Sequence, residues 1–316
     1  MKKVVDDERL MVKICDMYYN QDMNQKTIST QLGLSRPTIS RIINNAKDQG
    51  VVKITIKNLE NTNYVDLECT IETIYNLQEV IVVDHKSNPD ILKEDLGRVA
   101  SRYLERIIKD DNVVGISMGT TLYQVVNHME NATAKNVLFV PMIGGMGHLR
   151  MELHSNYLVE AMAQLYNGEF IPMHAPARVS NRAIRSEFVN EKSIAKVIKM
   201  CNNLDVALVG IGYPNQTSAI MATGYYDNDE MQKLKAKNVA GDICMQFYDA
   251  SGNTTPYRSD NNVIGIEIKK LRKVPHSIGV AGGVDKVSAI RGAINGRYIN
   301  TLITDVECAK KLAENN

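Results

Sequence analysis

The chain has 316 residues, is 44% hydrophobic, and carries 37 Lys/Arg against 36 Asp/Glu. That length suggests two domains rather than one, the hydrophobic share supports a sizeable core, and no apolar run approaches the about 20 residues a membrane-crossing helix needs. The near-neutral total hides an asymmetry: residues 1–58 hold ten Lys/Arg against six Asp/Glu, and the remainder twenty-seven against thirty, which fits a protein touching phosphates with one end only.

The first helix is expected over 8–20, where Leu10, Met11, Ile14, Met17 and Tyr18 form an apolar stripe. The next stretch, NQKTISTQLGLSRPTISRIINNAKDQG (24–50), reads as two short helices around a Gly33-Leu34 turn. Asn24 and Ser35 offer side-chain oxygens as N-caps, Pro37 falls in a first turn where its missing N–H costs nothing, and Gly50 suits the helix end. Ile28, Leu32, Leu34, Ile39, Ile42, Ile43 and Ala46 share the inner faces. Arg36, Thr38, Ser40, Arg41, Asn44 and Lys47 are left outside on the second helix. This is the grammar of a helix-turn-helix, whose second helix enters the major groove. Arg36 and Arg41 can pair bidentately with guanine, and Thr38, Ser40 and Asn44 can hold phosphates or other bases. A helical hairpin with a solvated basic face fits a bare two-helix pattern; the caps, the Gly turn and the Ser-Arg-Pro-Thr start favour DNA. The expected DNA-binding set is Gln25, Lys26, Ser35, Arg36, Pro37, Thr38, Ser40, Arg41 and Asn44.

VVKITIKN (51–58) alternates and predicts a short strand or wing, with Lys53 and Lys57 on one face. Residues 59–78 predict a linker helix bearing Leu67, Ile71 and Ile74 on one side. From residue 79 short β-branched runs alternate with helical ones. Strands are expected at 79–84, 113–119, 136–145, 169–177, 206–212, 277–283 and 301–305, with 240–252 extended. Helices are expected at 90–108, 121–129, 155–167, 181–202 (in two pieces), 227–237, 286–295 and 306–314. That alternation specifies an α/β fold: a Rossmann-like parallel sheet with helices on both faces. The boundaries are therefore 1–58 for the DNA-binding domain, 59–78 for the linker helix and 79–316 for an effector and oligomerisation domain. Five scattered cysteines without a CxxC argue for reduced thiols in a cytoplasmic protein, and Lys2-Lys3 leads into VVDDE, so no signal peptide is expected.

In such sheets, ligands bind where strand carboxyl ends meet helix N-termini. Gly115-Ile-Ser-Met-Gly119-Thr120-Thr121 runs from a strand into a helix and suits an anion. Ile143-Gly144-Gly145-Met146-Gly147, Gly241-Asp242-Ile243-Cys244 and Ala281-Gly282-Gly283-Val284-Asp285-Lys286 stand at three further ends. Any one is only a tight turn; together they point to a small phosphorylated ligand. Thr120, Thr121 and Lys286 would hold its phosphate, Asp242 would accept its hydroxyls, and His154 or Asn156 would reach in from the loop after Gly147, with His148 and Arg150 nearby. The G-x-S-x-G spelling at 115–119 also matches a hydrolase nucleophile elbow. Asp205 or Asp242 followed by His276 keeps the required order, but His276 stands before a strand beside Pro275. There is no P-loop, no HExxH and no dinucleotide fingerprint, so neither metal nor cofactor is expected.

The segments QLGLSRPTISRII, GISMGTT, VPMIGGMG, HAPARVSN, ALVGIG, GDICMQFYDASGN, VAGGVDKVSAI and NTLITD, in this order, resemble the SorC family of sugar-binding transcriptional regulators, which includes the deoxyribonucleoside and central glycolytic gene regulators. The resemblance covers nearly the whole chain. It implies an effector domain like the sugar isomerase, deaminase and CoA-transferase group, without catalysis. It also implies a dimer or tetramer, and operator DNA binding modulated by a phosphorylated sugar or polyol, with repressor as the expected sign. The family's phosphate pocket maps onto Gly119, Thr120, Thr121 and Lys286, and its hydroxyl-reading acid onto Asp242. The effector set is then Gly119, Thr120, Thr121, Gly144, Gly145, Gly147, His154, Asp242 and Lys286. Some branches carry Lys or Arg immediately before the Gly-Gly; here that residue is Ile143, which excludes an imine at that place. The alternative is an active sugar-phosphate isomerase or deaminase with a DNA-binding appendage and Asp242 as its base.

Overall fold

A computed structural model describes residues 7–54, 64–147, 150–213 and 219–314. The chain divides into two compact units, 1–63 and 64–316.

The first unit is a trihelical body of α1 (Glu8–Tyr19), α2 (Gln25–Leu32) and α3 (Arg36–Asp48). Each helix starts where its cap dictates: Asp7, Asn24 and Ser35 accept from the N–H groups of Leu10, Thr27 and Thr38. Gly33 closes α2 in the left-handed conformation (φ 68°), freeing the chain to turn sharply into α3. Met11, Ile14, Cys15, Met17, Ile28, Ile39, Ile42, Ile43 and Ala46 form the core. The wing expected at 51–58 does not start as a strand: residues 51–54 are bends and irregular chain, because no partner strand lies beside them among the described residues. Residues 55–58, with Lys57, lie outside the described residues.

In the second unit, α4 (Val65–Tyr75) buries Ile71 against the body. Its Glu72 and Glu68 carboxylates accept the N–H groups of Val80 and Val82 on β1, and Tyr75 Oη donates to the Leu312 carbonyl. The stretch expected as a linker helix is thus a wall of this unit, with residues 59–63 outside the described part. There follow β1 (Glu79–Val83), α5 (Pro89–Ile107), β2 (Val113–Ile116), α6 (Thr120–Asn127), β3 (Leu138–Pro141), α7 (Ser155–Tyr166), β4 (Glu169–Phe170), α8 (Arg182–Asn190), α9 (Lys192–Cys201) and β5 (Val206–Gly210). The unit continues through α10 (Ala219–Ala222), α11 (Asn228–Ala236), β6 (Gly241–Ile243), β7 (Gln246–Tyr248), β8 (His276–Val280), α12 (Val287–Asn295), β9 (Thr301–Asp305) and α13 (Val306–Ala313).

Among the described residues, seven strands form one sheet in the order β1-β9-β8-β5-β2-β3-β4, and every pair in it is parallel. Alternate residues of β5 supply two separate cores: Val206 and Leu208 pack with Leu96, Leu122 and Leu158, while Ala207 and Val209 pack with Val197, Cys201 and Ile290. Helices therefore cover both faces, as the continuous apolar strands require. The strands are shorter than the sequence suggests. β3 stops at Pro141, which has no N–H for the ladder, and β4 keeps two residues. The stretches expected as the ends of these strands instead weave an irregular layer through the isolated bridges Ile143↔Gly265, Gly145↔Pro176 and Arg178↔Val263. The extended run 240–252 is a separate antiparallel hairpin, β6-β7, outside the main sheet.

Candidate functional site

On the first unit, Lys26, Arg36, Pro37, Arg41 and Asn44 are exposed, and Gln25, Thr38 and Ser40 are half-buried, all on α2 and α3. The buried isoleucines of α3 take the opposite side of that helix, so its polar side chains present one continuous face. Two hydroxyls of the expected DNA-binding set already work locally. Ser35 Oγ accepts the Thr38 N–H at 3.3 Å and lies 2.7 Å from Thr38 Oγ1, leaving each hydroxyl little spare capacity. Among the described residues, Arg36, Arg41 and Asn44 carry no such commitment.

On the second unit, the carboxyl ends of β8, β5, β2 and β3 stand side by side, and these neighbours carry the glycine-rich turns. Gly119 ends the β2 turn at φ 120° and opens α6 with no capping side chain, so the first-turn N–H groups have no side-chain acceptor. Thr120 is half-buried and Thr121 buried at this start. The Gly119 N–H donates to the Leu153 carbonyl at 3.1 Å, which brings His154, the N-cap of α7, alongside the β2 turn. From β8, the Gly282-Gly283 turn leads to Lys286, whose Nζ donates to the Ile211 carbonyl beyond β5 at 3.2 Å. Asp305 pins that turn: its Oδ2 accepts the Gly283 N–H at 2.6 Å, and its Oδ1 caps α13 through Glu307 and Cys308.

Asp242 arrives from β6. Its N–H and carbonyl pair with Gly212, just past β5, at 3.1 and 2.9 Å. A side chain at 212 would overlap Asp242 Oδ1, so glycine is required there. The carboxyl is buried; Oδ2 accepts the Met245 N–H at 3.2 Å, and Oδ1 has no partner among the described residues. Burial pushes its pKa up to about 7 against the pull of the Met245 N–H and the nearby Lys286 ammonium. Lys286 is pushed down by burial, with Asp285 and Asp242 opposing the shift. A buried carboxyl oxygen without a hydrogen bond is costly to keep, and a ligand hydroxyl would satisfy it.

The turn joining β6 to β7 is Cys244-Met245, both in the left-handed region at φ 50° and 57°. Two non-glycine residues there cost about 1–3 kcal/mol each, and they persist because the surroundings hold them. The Cys244 thiol donates to Ser117 Oγ at 3.2 Å, and Met245 is fully buried. This contact ties the Asp242 hairpin to the end of β2. Cys244 is pushed up to about 12 by burial, so it stays a thiol. Sequence reasoning saw Gly115-x-Ser117-x-Gly119 and Gly241-Asp242 but not their meeting, since no glycine or asparagine signals the turn between them.

The remaining residues divide. Gly144 and Gly145 donate their N–H groups to the carbonyls of Ile264 (3.0 Å) and Ala175 (2.7 Å). Neither N–H is therefore left for an anion, and the expectation of a ligand-holding turn at these two is corrected. A Cβ at Gly144 would sit 2.5 Å from the Ala175 carbonyl oxygen, so its role is close backbone packing. Gly147 turns at φ 54° beside the Thr223 carbonyl. Asn156 spends its amide on both backbone groups of Met173, which rules out the reach expected of it. Arg150 is exposed and paired with Glu152, and His148 lies outside the described residues. The hydrolase arrangement does not form. His276 begins β8, level with Val206 and so with Val114, at the end of the sheet opposite Ser117, and Asp205 holds the Val113 N–H.

Comparison with known proteins places this architecture. Residues 60–314 match the Sugar-bind family model, described as "Putative sugar-binding domain". The sorbitol operon regulator of Klebsiella pneumoniae is 35% identical over 313 residues, covering 97% of this chain and 98% of that one. The deoxyribonucleoside regulator of Bacillus subtilis is 33% identical over 314 residues, with 97% and 98% covered. The crystal structure of the full-length sorbitol operon regulator SorC from Klebsiella pneumoniae superposes with a TM-score of 0.75 at 34% identity, covering 98% of this chain and 99% of that one.

Proposed function

Because the chain belongs to the SorC family of sugar-binding transcriptional regulators, we propose that it reads operator DNA with α3 and senses a phosphorylated sugar or polyol on the rim of its second unit. The observation that carries the sensing half is the buried, half-bonded Asp242 carboxyl held near Lys286 across the end of β5. Lys286 and the N-terminus of α6 at Gly119, Thr120 and Thr121 take the phosphoryl group, because helix N–H groups and an ammonium favour an anion. Asp242 Oδ1 accepts a ligand hydroxyl. His154, alongside the β2 turn, and Gly147 complete the effector set.

On the first unit, Arg36 and Arg41 read bases, with Asn44 and Ser40 beside them, and Gln25, Lys26, Pro37 and Thr38 position the helix on the backbone. A homodimer or homotetramer presents two such helices to half-sites one or more helical turns apart, and the ligand shifts their spacing. The protein acts in the cytoplasm as a regulator of a sugar or polyol catabolic operon and performs no turnover. The relatives named above, both regulators, support this reading over the isomerase alternative.

A thermal-shift screen of the full chain against phosphorylated sugars and polyols, paired with their unphosphorylated forms, tests it. Phosphorylated compounds alone should stabilise the second unit, and Lys286→Ala should abolish that stabilisation while leaving operator binding in place. Stabilisation retained in Lys286→Ala would move the phosphate elsewhere. Consumption of any sugar phosphate by the purified chain would restore the enzyme reading.

A further inference from the structure

A cavity of about 370 Å³ opens between α8 and the segments around residues 258 and 269. Its walls include Arg182, Arg185, Arg258 and Lys269, against one carboxylate, Glu267. In a unit with more acid than base, this is a local reversal of charge. Only Arg185 is committed: its Nε donates to the Val263 carbonyl at 2.7 Å, and it stands 3.8 Å from a largely exposed Glu267. Among the described residues, Arg182, Arg258 and Lys269 have no ion pair or hydrogen-bonding side-chain partner.

The cavity is not the rim. On the β6-β7 hairpin, Asp242 pairs with Phe247 and Ile243 with Gln246. Neighbouring cross-strand pairs point to opposite faces. Asp242 takes the face toward Lys286; Gln246 takes the other, where its amide clasps the Ile266 carbonyl and the Ile268 N–H and forms part of the cavity wall. That clasp also fixes the start of the turn bearing Lys269.

We propose that this cavity is a second anion site, which takes a compact ligand carrying two linked phosphoryl groups. Its volume lies in the range of about 300–1,000 Å³ typical of small-ligand sites and exceeds what one phosphate fills. Three uncommitted cations outnumber the charge of a single phosphoryl group, and arginine forks match its oxygens two at a time. The site is independent of the sugar-phosphate reading.

Titration calorimetry on the full chain at fixed ionic strength, with inorganic phosphate, pyrophosphate and ADP as probes, tests it. Pyrophosphate or ADP should bind about tenfold or more tightly than phosphate, since one additional charge-assisted hydrogen bond is worth that much. ADP binding as tightly as pyrophosphate identifies a nucleoside diphosphate source, and pyrophosphate alone an inorganic one. The R182A/R258A double variant alters two exposed side chains and should weaken binding about tenfold or more, with the sugar-phosphate thermal shift unchanged. Glu267→Gln, which removes the lone carboxylate, should tighten binding about threefold and keeps the test usable if the double variant fails to fold. Unchanged affinity in these variants would overturn the proposal. So would loss of pyrophosphate binding in Lys286→Ala, which would assign the anion to the rim. A double variant that changes sedimentation, in a chain that binds none of the probes, would make the cavity a seam between copies instead.

Discussion

In the first unit the groups offered to a partner are exposed or half-buried and all lie on two short helices and the cap between them; on the rim the main polar groups are buried or half-buried and come from segments as distant in sequence as Gly119 and Lys286. The helix-turn-helix presents long side chains from a small, well-capped frame and leaves them free. The rim instead stores its chemistry as cost: an unbonded carboxyl oxygen and two strained residues in one turn. A reader of DNA can meet its partner as a rigid body. A sensor must change when its ligand arrives, and a site held at a cost without ligand has free energy to release on binding.

The sharpest break in that comparison is in the frames themselves. The first unit rests on a small core, nine buried residues among those described, and small units are marginal. Ile42→Ala should cost about 2–5 kcal/mol, enough to unfold it. Calorimetry of the full chain should then show the first unit's transition lost or far lower, the second unit's unchanged, and operator binding abolished. A joint shift of both transitions would show that the two units melt as one.

Next in size is Arg41→Ala, which removes an exposed side chain with no partner among the described residues. Specific operator binding should fall by about 1–3 kcal/mol in a gel-shift titration, with both thermal transitions in place. Arg36→Ala should behave alike. Unchanged affinity in both would place the reading face elsewhere.

This contrast also explains what was legible in the chain. The caps, the Gly33 turn and the isoleucine spacing are local, so the three helices could be read closely. The parallel sheet was equally plain, because its strands are continuous apolar runs. The sequence predicts longer strands than form where tertiary bridges replace the ladder, as after Pro141, because β-branched composition does not record which residues find a partner. On the rim, glycine and charge are what single out Gly119, Asp242 and Lys286 for the proposed site. The Ser117–Cys244 contact did not, because it depends on a turn adopted by residues that rarely choose it. Gly144 and Gly145 had the spelling of a ligand turn but serve packing, a distinction that appears only once Ile264 and Ala175 are brought beside them. The arginine-lined cavity has no signature in the sequence, because α8 and residue 258 are joined only by the fold.

Asp242 carries the third test. Its carboxyl is raised from 3.8 to about 7 in the folded chain. Between those values the native state holds a proton that the unfolded chain releases. The second unit should therefore lose stability as pH rises through that window and change no further above it. Ligand binding runs the other way, since a hydroxyl donates to the ionised carboxylate. From pH 6 to 8 effector affinity should rise by up to about tenfold on account of this group. Asp242→Asn should flatten both profiles, leaving only the ligand phosphate's own titration. A wild-type profile already flat after that correction would remove Asp242 from the hydroxyl-reading role.

The smallest effect separates framing from reading within α3 itself. Ser35 stands among the residues expected to touch DNA, yet its oxygen caps the helix. If capping is its whole role, Ser35→Ala should lower the first unit's stability by about 1 kcal/mol and Ser35→Gly by only a few tenths. Operator affinity, measured well below the melting transition, should then be nearly the same in both and close to wild type. If Ser35 also holds a phosphate, both variants should lose affinity equally, because neither keeps the hydroxyl, and the glycine variant's recovered stability would not restore it. The pair therefore isolates the hydroxyl's contact from its cap.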